Sequence, residues 1–276
     1  MRYGIIGAPS SLGAFAPGQE LAPRALREAG IVERLGADDL GDISLRRWRP
    51  DPEHRSAQNT AGVAEVVSEV AERVEAAVRA GRVPIVLGGD CTVGIGTVAG
   101  ALRGGGPLGL VYFDLHPDLN TPDTVPDGVL DWTGMAQMLG VYPGSEALLA
   151  PEDVLLYGRG PAQTRPGEQA AIDRLGLATV DVDQVGPATA AAAARRYERY
   201  LVHFDVDVVD FVDLPLSENT GHNIGLPFAT AVAALAELVA GPGFAGLTVT
   251  EHNPAHGAED GSTTRALAEA LQRVLS

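Results

Sequence analysis

Cysteine is almost missing from this chain: Cys91 is the only one in 276 residues. No internal disulfide can form, and a reducing, cytoplasmic setting is expected. Positive charge is scarce too. Lys and Arg total 20 against 36 Asp and Glu, a net charge of −16, and the pI is near 4.7. That field disfavours nucleic acid and anionic membrane as main partners and suits cations and small cationic ligands. No apolar run approaches the ~20 residues that cross a bilayer. The opening Met1–Ser10 has no basic segment leading into an apolar one, so no signal peptide is expected. Internal repeats are missing, and the sole low-complexity tract, Ala190–Ala194, reads as an alanine-rich helix. No linker is long or biased enough to divide the chain, so residues 1–276 are expected to form a single domain.

What is present is a 45% hydrophobic composition organised in alternation. Strands are expected at Arg2–Gly7, Val83–Leu87, Gly109–Asp114, Val154–Tyr157, Ala178–Val182, Tyr200–Asp205 and Leu247–Thr250. Several are apolar throughout, as a sheet covered on both faces requires. Helical spacing marks Val63–Ala80, Pro227–Leu238 and Thr263–Leu275, with Ser262 placed to cap the last. Gly104–Pro107 reads as an exposed turn and residues 122–128 as a long loop. The sum is an α/β chain: a three-layer α/β/α domain with a mainly parallel sheet and right-handed crossovers.

In open α/β sheets ligands bind outside the carboxyl ends of the strands. There this sequence places Gly88-Gly89-Asp90-Cys91, then Asp114-Leu115-His116-Pro117-Asp118-Leu119-Asn120, Asp205-Val206-Asp207 and Glu251-His252-Asn253-Pro254. Strand alternation would project Asp114, His116 and Asp118 to one side, and Asp205 with Asp207. An Asp after a strand commonly caps a turn, but D-x-H-x-D and D-x-D together gather four carboxylates at the edge of the core. Unpaired, they would repel one another and lose hydration. Divalent cations remove both penalties. Oxygen donors with one imidazole suit Mn²⁺ or Mg²⁺, and a pair of ions ionises water near neutral pH. A metal-assisted hydrolase is the expectation.

These four motifs resemble, in order, those of the arginase/agmatinase (ureohydrolase) superfamily, over nearly the whole chain. The resemblance implies an arginase-like fold and two Mn²⁺ per chain acting on a small-molecule guanidino substrate. It makes Asp114 and Asp205 bridging ligands, adds Cys91 and Asp118 at one ion, and adds His116 and Asp207 at the other. Glu251 would pair with the guanidino group and Asp118 would accept a hydrogen bond from the attacking hydroxide. Asn120 would hold the substrate carboxylate, and Thr220 matches a pocket threonine.

Three departures qualify it. Cys91 stands where the family has a histidine ligand. Two divalent ions bring +4, the four aspartates −4, and a thiolate a further −1 where imidazole brings none. Such a cluster polarises less strongly and admits a softer ion such as Zn²⁺ or Fe²⁺ at that site. Second, the family's proton-shuttling histidine has no counterpart in Thr121–Met135. Asp131 or Thr133 occupies its place depending on where the segments are anchored, and His222, His252 and His256 are other proton-transfer candidates. Third, Tyr157–Ala162 lacks the acid that meets the substrate amine, while Asp127 replaces a small hydroxyl residue and could take that amine. The combination resembles the family members of D-cycloserine biosynthesis, which convert N-ω-hydroxy-L-arginine to hydroxyurea and L-ornithine. An N-hydroxyguanidine is less basic than a guanidine and is more easily attacked as the neutral species. The alternatives are hydrolysis of arginine, agmatine or another guanidino or formimino acid, and a non-catalytic ligand-binding descendant. The chain ends on its last helix, with no tail to reach a neighbour, so a monomer is favoured over a trimer or hexamer.

Overall fold

Strands buried on both faces need helices above and below, and the chain supplies both layers. The computed structural model describes all of residues 1–276. Its strands are β1 (Tyr3–Gly7), β2 (Asp38–Asp42), β3 (Val83–Leu87), β4 (Gly109–Phe113), β5 (Val154–Arg159), β6 (Ala178–Asp181), β7 (Tyr200–Asp205) and β8 (Phe244–Thr250). They form one eight-stranded sheet in the order β2-β1-β3-β8-β7-β4-β5-β6. Every pairing is parallel, so the sheet is wholly rather than mainly so.

The period-two alternation of each strand sorts its side chains into two cores. Ile85, Phe113, Phe204 and Val249 face one side, against α1 (Ala22–Glu28), α2 (Ile31–Leu35), α7 (Pro187–Ala193), α8 (Phe228–Val239) and α9 (Ser262–Leu275). Val86, Leu110, Leu156 and Leu201 face the other, against α3 (Thr60–Arg79), α4 (Val93–Gly105), α5 (Gly134–Met138) and α6 (Pro166–Leu175).

Three local expectations are corrected. Strand β2, absent from the sequence reading, is an edge strand of composition DDLGD, whose acids Arg27, Arg2 and Arg82 neutralise. Helix α4 runs through Gly104 and Gly105, which read as a turn. Its glycines lower helix propensity but admit α3: a Cβ on Gly100 would lie 2.4 Å from the Ala71 carbonyl oxygen. Ser262 does not cap α9 but begins it; Gly261 is the N-cap, and the Asp260 carboxylate accepts the Ser262 amide at 2.8 Å.

The topology has one consequence for function. The four motif-bearing strands, β3, β8, β7 and β4, are consecutive at the middle of the sheet. Segments more than a hundred residues apart in the chain therefore end side by side.

Candidate metal centre

Both aspartate motifs turn at once after their strands, which corrects the expectation from strand alternation. Extended structure stops at Phe113, and Asp207 lies in a 3-10 turn, Val206–Val208. Asp114 Oδ1 accepts the His116 amide at 2.6 Å, and Asp205 Oδ1 accepts the Asp207 amide at 2.7 Å. Turn capping and site formation thus coexist, one oxygen of each carboxylate for each. The second oxygens are aimed inward: Asp114 Oδ2 is buried without a partner, and Asp205 Oδ2 lies 3.0 Å from Cys91 Sγ.

Around them, His116 Nδ1 meets Asp207 Oδ2 at 2.9 Å, and the Asn219 amide lies 3.3 Å from the same oxygen. Asp118 sits in the left-handed region at φ 50° and accepts a hydrogen bond from the Tyr112 hydroxyl. Glu251, at φ 65°, donates its amide to the Gly89 carbonyl at 2.8 Å. Left-handed backbone costs a non-glycine residue about 1–2 kcal/mol, so the fold holds two cleft carboxylates in conformations they would not choose. Glu251 Oε2 accepts from Gln19 Nε2 at 3.2 Å, leaving Oε1 buried and unpartnered.

These groups line one cleft of about 200 Å³: Cys91, His116, Asp118, Asp205, Asp207 and Glu251, with Asn120 and Asp131 beside them. Asp114, buried, shares donor clusters with Cys91 and His203 on one side and with His116 and Asp207 on the other. Of the two loop candidates for the missing histidine, Asp131 reaches the cleft. Its Oδ1 accepts the Cys91 amide at 2.7 Å, whereas the Thr133 hydroxyl donates to the Leu130 carbonyl. Asp127 is exposed, caps the Val129 amide at 3.0 Å and is not part of the lining. Thr220 also lies outside the lining, and its neighbour Asn219 takes the place. His222, His252 and His256 do not line it either; both His252 nitrogens are already committed to Leu216 and Thr264.

Sequence reasoning missed Phe15, Trp132, Gln163, Arg165 and Glu168. Arg165 is the N-cap of α6 and its guanidinium lies 5.8 Å over the Trp132 ring. Buried Glu168 accepts the Leu119 and Arg165 amides at 3.1 and 3.0 Å. The R-P-G-E signature of a helix start, six residues beyond β5, was the available signal.

Without a cation, burial favours the protonated form of most carboxylates here, while His116 and Asn219 hold Asp207 below the usual range. Burial, then mutual repulsion, pushes Asp114, Asp205 and Glu251 well above the carboxylate range, and burial raises Asp118 to about 8. Burial also pushes the Cys91 thiol up, with Asp205 and Asp118 adding to it. Burial alone would lower His116, but Asp207, Asp114 and Asp118 together outweigh it and the imidazole rises to about 10. The unpartnered oxygens of Asp114, Asp207 and Glu251, among oxygen, imidazole and sulfur donors, fit a pair of divalent ions. Ligands must shed protons to bind metal. Asp118 keeps its proton below about 8 and His116 below about 10, so acid competes with the cation and affinity falls as pH falls. Calorimetry in buffers of different ionisation enthalpy should register proton release on loading. Affinity that stays flat from about pH 6 to about 9 would contradict the proton competition.

The model of the arginase family matches residues 1–276. An arginase from Bacillus caldovelox is 33% identical over 233 residues, 76% of this chain and 77% of its own length. The crystal structure of arginase from Bacillus subtilis superimposes with a TM-score of 0.86 at 24% identity, covering 100% of this chain and 99% of the other. Formimidoylglutamase from the same organism gives a TM-score of 0.80 at 19% identity, covering 100% of this chain and 86% of the other, so the fold is shared by proteins named for different substrates. With a match along its full length and the motif residues meeting in one cleft, this chain belongs to the arginase family of metal-dependent amidinohydrolases.

Proposed function

We propose that this chain hydrolyses N-ω-hydroxy-L-arginine to hydroxyurea and L-ornithine with two Mn²⁺ per chain. The observation that carries the reading is the hydrogen bond joining two departures from the family pattern. Asp131, at the place of the shuttle histidine, holds the amide of Cys91, at the place of the histidine ligand. The two changes form one unit, clustered with Glu251. Together they suit a substrate less basic than arginine.

Cys91, Asp114, Asp118 and Asp205 would hold one ion, and Asp114, His116, Asp205 and Asp207 the other. When bound, the pair supplies Lewis acidity and ionised water near neutral pH. Glu251 Oε1, buried and unpartnered, orients the hydroxyguanidino group. Asp118 would accept a hydrogen bond from the water that the ion pair activates. Burial, with Asp90 and Asp118 nearby, raises the Asp131 pKa well above the carboxylate range, which suits its carboxyl group to donate a proton to the departing δ-amine as the C–Nδ bond breaks.

At the outer end, Arg165 is the one Lys or Arg in a lining otherwise rich in acids. It takes the substrate carboxylate together with Asn120, while Glu168 supplies negative potential for the amine, the role expected of Asp127. Arg165→Ala should raise KM for hydroxyarginine about 10- to 100-fold, the worth of a charge-assisted hydrogen bond, with little change in kcat. Agmatine, which lacks the carboxylate, should be a poor substrate of both proteins, and an equal loss on agmatine would count against the assignment.

The deciding experiment is a paired assay of manganese-loaded protein on L-arginine and N-ω-hydroxy-L-arginine. Hydroxyurea without urea supports the reading. Urea at a comparable rate means that an arginase tolerates the Cys91 and loop changes. A cytoplasmic monomer is the accompanying proposal, tested by sedimentation.

A further inference from the structure

One buried group close to the centre has no part in the steps above. His203, on β7, stacks on the Tyr112 ring at a centroid distance of 4.3 Å and is 2% exposed. Its Nδ1 has no hydrogen-bond partner; it faces Gly94, where a Cβ would come within 2.7 Å. Its Nε2 lies 3.1 Å from Thr250 Oγ1 and 3.5 Å from Cys91 Sγ, and Thr250 Oγ1 is 3.3 Å from the same sulfur. Three atoms from β7, β8 and the loop after β3 thus form a closed triangle inside the protein.

Neither ring nitrogen has a carboxylate against it, and a neutral imidazole carries one N–H. An orphaned buried N–H costs more than a bare lone pair beside Gly94, which places the proton on Nε2, inside the triangle. Thr250 then accepts from His203 and turns its own hydrogen to the sulfur. A thiol can donate to Asp205, 3.0 Å away, but a thiolate only accepts, and the Thr250 hydroxyl, itself held by His203, is its donor.

We propose that His203 and Thr250 are positioning residues for the Cys91 thiolate. They aim the sulfur at the metal and draw off part of the charge that distinguishes it from an imidazole. Hydrogen bonds at a ligating sulfur are a recognised means of tuning a metal site. The inference rests on Cys91 being a ligand, so its test reports on that as well.

The test uses Co²⁺-loaded full-length protein, whose thiolate-to-metal charge-transfer absorption reads the sulfur directly. Thr250→Val keeps the shape and removes the donor; Thr250→Ser restores it; His203→Phe keeps the stack without the N–H. Thr250→Val and His203→Phe should each shift the band to lower energy and weaken metal binding about 10- to 100-fold, and Thr250→Ser should return both to the parent values. Thermal unfolding without metal checks that each variant folds, and the serine variant carries the test where phenylalanine is not accommodated. A band present but unmoved in Thr250→Val overturns the inference alone. Loss of one bound ion in His203→Phe with the band intact also overturns it, making His203 a ligand. No band in the parent protein overturns it together with the Cys91 assignment.

Discussion

Asp205→Asn should abolish hydrolysis, a loss of at least about 10³-fold in kcat/KM, without unfolding the chain. Asp205 ends β7 in the middle of the sheet, with Oδ1 on the Asp207 amide and Oδ2 toward Cys91. Asparagine has the same shape, and its carbonyl oxygen can still accept the Asp207 amide. It cannot supply a charged bridge between two cations. Burial disfavours the ionised Asp205 in the metal-free protein, so a neutral replacement should leave the metal-free unfolding temperature unchanged or slightly raised. The difference appears on adding Mn²⁺. A ligand present at 1,000 times its dissociation constant stabilises the parent by about 4 kcal/mol, and the variant should lose most of that gain. Thermal scans with and without metal, beside the hydrolysis assay, check both halves. Activity within about tenfold of the parent would mean that Asp205 is no bridging ligand.

Gly89→Ala should be the most damaging small substitution in the chain. A Cβ there would lie 1.6 Å from the carbonyl oxygen of Ser10 and 2.6 Å from its carbonyl carbon, and both are backbone atoms. The Ser10 carbonyl accepts the Asp90 amide at 3.1 Å, and the Gly89 carbonyl holds Glu251 at 2.8 Å. The methyl therefore pries apart the loops after β1, β3 and β8 together. Overpacking a tight site costs about 1–3 kcal/mol and more where backbone must move; at 3 kcal/mol this is roughly 6–12 °C of unfolding temperature for a domain of this size. Turnover should fall further than stability explains, because Glu251 loses its anchor. Unfolding within about 2 °C of the parent would show that the Ser10 loop yields freely.

Much of this protein is legible in its residues. Fully apolar segments such as Gly109–Phe113 announce buried strands, and D-x-H-x-D and D-x-D announce a cation site, because charge at the edge of a core needs compensation. Strand β2 was not legible: its acids read as surface until Arg27 and Arg82 close on them from elsewhere in the chain. Nor was α4, whose glycines make sense only against α3. At the site, Asp127 and Thr220 were expected from the family resemblance, yet neither lines the cleft, where Asn219, Arg165 and Glu168 stand instead.

The sequence by itself determined the alternation of layers, the strand-end motifs and the kinds of donor they offer, since hydrophobic period and ligand chemistry are local properties. Only the tertiary structure decided that β3, β8, β7 and β4 stand together, that Asp131 backs Cys91, and that His203 and Thr250 close on its sulfur. Those contacts join segments separated by 40 to 159 residues. They arise from strand order and close packing, which no local pattern encodes.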